Sequence, residues 1–181
     1  VEDQGGDYVM VDILTTGYAA LQTLRRQGFK LVIHAHRAGH AAFTKDPRHG
    51  IAMCVIAKAA RMVGVDQLHV GTAVGKMFET KEEVLENLAA LRGPMNGLKP
   101  VLPVASGGIH PGLVPELIDI FGLDVVIQAG GGIHGHRKGT KAGAKAMRQA
   151  VHAKIHAIPL EEHAKRHAEL RIALETWGCA S

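Results

Sequence analysis

The feature that most constrains this chain is an alternation that recurs along its length. Short runs of apolar or β-branched residues are followed by longer stretches whose apolar residues recur at helical spacing. Residues 8–14 (YVMVDIL), 31–35 (LVIHA), 67–70 (QLHV), 102–105 and 125–129 (VVIQA) read as strands. Their helices are expected over residues 19–27, 51–63, 81–92, 114–121 and 141–158, with a final helix over 160–177 after Pro159. A βαβα order requires parallel strands with covering helices, because a parallel connection must cross the sheet. A doubly wound sheet and an eight-fold barrel both satisfy this order.

Composition narrows the function classes. With 46% hydrophobic and 21% charged residues over 181 positions, the chain has the material for a real core. No apolar run is long enough to span a bilayer, and the opening VEDQGG lacks the basic and apolar regions of a secretory signal. Cys54 and Cys179 are far apart and suggest neither a disulfide framework nor a zinc site, so a reducing cytoplasm is the expected compartment. The net charge of +4 is scattered rather than striped, and 4% aromatics offers little stacking surface, which argues against nucleic acid as a partner. Of the 12 histidines, His152, His156, His163 and His167 read as capping, packing or solvated positions on helices.

The chemistry collects immediately after the expected strands. The second runs into His34-Ala35-His36-Arg37-Ala38-Gly39-His40, and the third into His69-Val70-Gly71-Thr72 and on to Gly75-Lys76. The fourth ends in Ser106-Gly107-Gly108, and the fifth in Gln128-Ala129-Gly130-Gly131-Gly132. In a parallel α/β protein these ends share one rim, and in a barrel they would surround one pocket. Glycines there bare the backbone N–H groups before helix starts, which suits phosphate. Arg37 can fork onto a second phosphate, and His69 can donate to oxygen. His36 has the pKa range of a proton shuttle, and Lys76 lies in a glycine-bounded loop able to move. Each motif alone has a plainer reading: a tight turn for the glycines, a hydrogen-bonded core histidine for His34 or His36. A zinc pair from His34 and His36 lacks an acidic or Cys partner at metal spacing. The Gly71–Lys76 stretch is not a Walker loop, and Gly130–Gly132 lacks dinucleotide spacing.

In order and spacing, HAHRAGHAAF, DQLHVGTAVGK, LPVASGGIHPG and IQAGGGIHGH resemble signature segments of the RuBisCO large chain, over nearly the whole sequence. The variants at Gly39 and His69–Thr72 look more like the archaeal form III branch. The resemblance implies an α/β fold, the C-terminal part (about strands 4 to 8) of a (β/α)8 TIM barrel, with residues 1–181 as one partial barrel domain. It implies catalytic roles for His36 in proton transfer and for Lys76 in stabilising the carboxylated intermediate. It implies substrate binding by Arg37, His69, Lys76, Ser106, Gly107, Gly108, Gln128, Gly130 and Gly131, with His40 in support. The implied reaction is carboxylation of ribulose 1,5-bisphosphate to two 3-phosphoglycerates, with O2 as the competing gas. A homodimer or higher homo-oligomer is implied, with no membrane partner.

The resemblance also marks departures. Phe78 and Glu79 stand where the family's flexible loop usually has Glu-Gly, and Arg137 replaces a common proline. No KxxDDE-like run is present, so the Mg2+ ligands, including a carbamylated lysine, are expected outside these residues, and this chain by itself is expected to be inactive. Rival readings are a RuBisCO-like enolase or isomerase, a non-catalytic fragment, and an unrelated phosphosugar barrel.

Overall fold

The computed structural model describes residues 1–46, 48–75 and 79–179. In chain order its main elements are β1 (Tyr8–Asp12), α1 (Ile13–Thr16), α2 (Tyr18–Arg26), β2 (Val32–His36), α3 (Ala41–Thr44), α4 (Met53–Val63) and β3 (Gln67–His69). There follow α5 (Lys81–Arg92), β4 (Leu102–Ser106), α6 (Val114–Phe121), β5 (Val126–Gln128), α7 (Gly131–His134), α8 (Thr140–Ile155), α9 (Leu160–Arg166) and α10 (Ala168–Trp177). The strands form one sheet of 5 in chain order, and β1 through β4 pair in parallel.

The chain divides into two compact units: Val1–Val70 with Glu82–Val104, and Gly71–Lys81 with Ala105–Ser181. In the first unit, α4 shows why the sequence folds as it does. Met53, Ile56, Ala57 and Ala60 are buried at three- and four-residue spacing, the stripe a helix needs to cover a sheet. Gly64 ends the helix in a left-handed conformation (φ 91°), and Val65 N–H returns to the Ala60 carbonyl. Buried Arg61 donates to the carbonyls of Ala90, Gly93, Leu98 and Lys99, so α4 clamps the segment after α5. At the N-terminal end of β3, Asp66 accepts from the Ile33 amide (2.7 Å) and pairs with Arg25.

In the second unit α8 buries Gly143, Ala146, Met147, Ala150 and Ala153. Gly143 must be glycine, because the backbone of Ile133 occupies the space of a Cβ. Val84, Leu88 and Leu91 of α5 belong to the core of the first unit, Leu117 and Phe121 of α6 to that of the second.

The five strands and the helices between them agree in type with the sequence reading; the differences lie at element ends, in the final helix and in short helical turns. The first strand stops at Asp12 rather than residue 14, because the Asp12 side chain caps α1 by accepting from Leu14 and Thr15 N–H. The expected final helix over 160–177 is two helices. His167 between them is extended (φ −129°, ψ 95°), and this turn lets α10 pack on α8, on α9 and on the short helical turn Pro111–Leu113. A straight helix would carry residues 168–177 past those partners. Short helical turns α1, α3 and α7 have too few residues to leave a periodic signal.

Candidate functional site

Parallel register places the candidate residues side by side in the first unit. Asp12 sits opposite His36 across β1 and β2, and His34 opposite Gln67 across β2 and β3. His34 Nδ1 lies 2.6 Å from Gln67 Oε1, and His34 Nε2 lies 2.8 Å from His69 Nε2. All three side chains are buried. The His36 ring stands 4.7 Å from that of His69 at 66°, and its side chain is 39% exposed, so it is the histidine of this group most open to a ligand. Arg37 follows it and is 5% exposed, an enclosed guanidinium.

Asp12 ties these strand ends together. Its Oδ1 accepts from Leu14 and Thr15, and its Oδ2 accepts from Ala38 N–H at 2.6 Å and lies 3.4 Å from His36 Nδ1. Burial pushes its carboxyl up, but hydrogen bonds from the Thr15 backbone and side chain, His36 and Ala38 outweigh it and hold the group below the usual carboxylate value. Ala38 N–H also lies 3.1 Å from His36 Nδ1, so this nitrogen faces both the Asp12 carboxylate and the Ala38 amide.

The second unit holds the glycine turns. Ser106 ends β4, and Gly107 (φ 116°) and Gly108 (φ 64°) follow in conformations that favour glycine. Gly75 (φ 82°) packs against this turn: a Cβ there would lie 3.5 Å from the carbonyl oxygens of both Gly107 and Gly108. Thr72 Oγ1 accepts from Val74 N–H at 3.1 Å and fixes the start of the Gly75 loop. Lys76 lies outside the described residues, as do Met77 and Phe78. Gln128 ends β5 and is exposed, Gly130 caps α7, and Gly131 opens it. A Cβ on Gly130 or Gly131 would meet nothing within 4 Å, whereas one on Gly132 would strike the backbone of Ile109 and His110. Gly130 and Gly131 therefore present open backbone, and Gly132 is a packing glycine. His110 stacks on Trp177 (5.9 Å, 24°), and burial lowers its pKa.

The structure thus brings His36, Arg37 and His69 together in one unit, and Ser106, Gly107, Gly108, Gln128, Gly130 and Gly131 into strand-end turns of the other. His40 supports α3, its Nδ1 2.9 Å from Thr44 Oγ1. Sequence reasoning missed Asp12 and Gln67 as members of the group. The signal for Asp12 was present, a strand-final Asp with Thr three residues on, which is an N-cap pattern. Gln67 had no signal, because only register places it against His34. Among the described residues no group of three or more His, Cys, Asp or Glu side chains is arranged to hold a metal ion.

Residues 1–177 match the family model for the ribulose bisphosphate carboxylase large chain, catalytic domain. The chain belongs to this family. It is 56% identical to the ribulose bisphosphate carboxylase of Pyrococcus abyssi, over 98% of this chain and 42% of that protein. It is similar to octameric ribulose-1,5-bisphosphate carboxylase/oxygenase of Pyrococcus horikoshii, solved in complex with sulfate ion, at 54% identity and a TM-score of 0.93. That match covers 97% of this chain and 42% of the other. A rubisco-like protein of Alicyclobacillus acidocaldarius is 38% identical with a TM-score of 0.93, covering 98% of this chain and 45% of that one. The chain thus spans less than half the length of its RuBisCO relatives, and the unrelated-barrel reading is set aside. The Pyrococcus matches agree with the archaeal character of the motifs.

Proposed function

We propose that this chain supplies the phosphate-anchoring and loop-closing residues of a ribulose 1,5-bisphosphate carboxylase/oxygenase, as part of one catalytic domain over residues 1–181. The observation that carries the reading is that Arg37 and His69 are buried and His36 is half-exposed, on adjacent parallel strand ends of a chain from this family. Arg37 and His69 anchor one phosphate. The turns with Ser106, Gly107, Gly108, Gln128, Gly130 and Gly131 supply backbone and side-chain donors for another. Anchored phosphates fix the sugar and lower the entropic cost of reaction at its centre. His36 exchanges a proton with a substrate hydroxyl, and Lys76 meets the charge developing on the new carboxylate. The sulfate complex of the Pyrococcus horikoshii relative supports an anion-binding role, since sulfate has the shape and charge of a phosphate.

Mg2+ belongs to the reading only through the family. The described residues do not fit it: Asp12, the carboxylate among the β1–β3 strand ends, is spent on a helix cap and on Ala38. Its ligands, with the carbamylated lysine, are proposed to lie outside this chain. By itself the chain is accordingly proposed to be inactive. The octameric relative supports a homo-oligomer as the working state, and a reducing cytoplasm, in keeping with free Cys54 and Cys179, is proposed as its compartment.

The test is calorimetric titration with ribulose 1,5-bisphosphate, comparing the protein with Arg37→Ala. Loss of the fork should weaken binding by roughly ten- to a hundredfold, the ~1.5–3 kcal/mol of hydrogen bonds to a charged group. Equal affinity of the two proteins would refute the anchor. Joined to the remainder of a Pyrococcus-type large chain, these residues should support CO2 incorporation into 3-phosphoglycerate. Enolisation without incorporation would favour the RuBisCO-like reading instead.

A further inference from the structure

We propose that the basic outer face of α8 is a docking surface for a second copy of this chain, which meets it with the acidic outer face of α5.

Between Asp124 and Glu161 the chain has no acidic residue, while Arg137, Lys138, Lys141, Lys145, Arg148 and Lys154 all fall in that stretch. Charge that reads as scattered along the sequence is ordered by the helix. With 3.6 residues per turn, Lys141, Lys145 and Arg148 fall within an arc of about 60°. All three are exposed, on the side away from buried Gly143, Ala146, Met147 and Ala150. Like charges three and four residues apart repel one another and weaken a helix. Glu169 relieves Lys145 at 3.2 Å, but among the described residues no carboxylate is paired with Lys141 or Arg148. An anionic partner would relieve the remaining repulsion.

The complement stands on α5 at the same spacing. Glu82, Leu85, Glu86 and Ala89 repeat the intervals of Lys141, Ala144, Lys145 and Arg148, and every one of these residues is exposed. Glu82 and Glu86 stand one turn apart, about 6 Å along the axis, as Lys141 and Lys145 do. Laid antiparallel, Glu82 meets Lys145 and Glu86 meets Lys141. Like flanks then face each other, so Leu85, 44% exposed, comes beside Ala144. A large residue against a small one lets two helix axes approach to ~8–10 Å. Parallel packing would put Leu85 and Ala144 on opposite flanks. This match of spacing and size singles out α5 over a nucleic acid, which would answer the charge of α8 and leave Leu85 in water. Exposed ion pairs are individually weak, so the docking is reversible and salt-dependent.

Sedimentation of the full chain over a concentration series is the test, at low salt and at about 1 M NaCl, where the Debye length is ~3 Å. Association should weaken at high salt, whereas contact between apolar surfaces does not. Two double variants carry the comparison. Lys141→Glu with Arg148→Glu reverses the basic face and spares the Lys145–Glu169 pair. Glu82→Lys with Glu86→Lys reverses the acidic one. Each by itself should raise the dissociation constant by about tenfold or more, because like charges then oppose. An equimolar mixture of the two should recover the association of the parent, since each reversed face again finds its opposite. Lys141→Gln with Arg148→Gln removes charge without adding repulsion and should give an intermediate loss. A monomeric parent, association indifferent to these changes, or a mixture that stays dissociated would each overturn the proposal. Binding of duplex DNA that is lost on reversing α8, with self-association unaffected, would give the face to another polyanion and overturn it as well.

Discussion

Asp12 is the residue on which most of the β1–β2 strand-end geometry converges. It caps α1 with one oxygen and receives Ala38 N–H with the other, next to His36. An Asp12→Asn change keeps the size but turns an NH2 toward one of those donors, leaving a partly buried N–H without an acceptor. The expected cost is about 1–3 kcal/mol, measured by urea unfolding. The acid limb should change as well. A carboxyl held below its ordinary value stabilises the fold above the unfolded-state pKa of about 3.9, and that contribution is lost as pH falls through the folded-state value. Asp12→Asn should flatten this part of the stability profile. At the same scale, Gln67 shows how a residue with no motif of its own enters a site through lateral pairing with His34.

Two elements carry separable tests. In α7, Gly132 is pressed against the backbone of Ile109 and His110, whereas Gly130 at the cap faces open space. Gly132→Ala should lower stability by about 1–3 kcal/mol, as overpacking does. Gly130→Ala should unfold like the parent yet bind sulfate or a sugar bisphosphate less well, because its methyl would fill the open side of the turn proposed to receive the anion. Thermal unfolding beside titration separates the two. Equal anion affinity for Gly130→Ala would take this turn out of the anchor. At the junction of α8 and α9, four imidazoles form a ladder: His156 on His152 at 4.0 Å, His152 on His163 at 5.2 Å, His163 on His167 at 4.0 Å. Burial lowers the His163 pKa, and the like charges of His167, His152 and His156 lower it further. The unfolded chain therefore binds more protons below about pH 6.5, and stability falls as pH drops through that value. His163→Leu should reduce the loss between pH 7 and 5 in denaturant titrations. An unchanged slope would show that the ladder does not titrate on folding.

For the whole molecule, β1 lies at the edge of the sheet order, and Tyr8 and Met10 on it are 57% and 58% exposed. An edge strand with apolar side chains open to water is a site for association. Sedimentation should show concentration-dependent self-association, and the double change Tyr8→Glu with Met10→Glu should reduce it. A monomer at all concentrations would be the contrary result. At this scale the strand–helix order was legible in the sequence, because period and length separate a four-residue β-branched run from an eleven-residue amphipathic stretch such as α4. The break at His167 was not legible, since no Gly or Pro marks it and the partners of α10 lie far away in sequence. The candidate site was legible where chemistry is carried by local motif, as at Arg37, His69, Ser106 and the glycine turns.

The sequence by itself determined the parallel α/β class, the family, and the residues offered at each strand end, because periodicity and short motifs are local properties of the chain. Only the tertiary structure decided who touches whom. Register set Gln67 beside His34 and Asp12 beside His36, and close packing separated Gly132 from Gly130. Hydrogen-bond direction and steric exclusion act over a few ångströms between residues distant in sequence, so the local pattern could not state them.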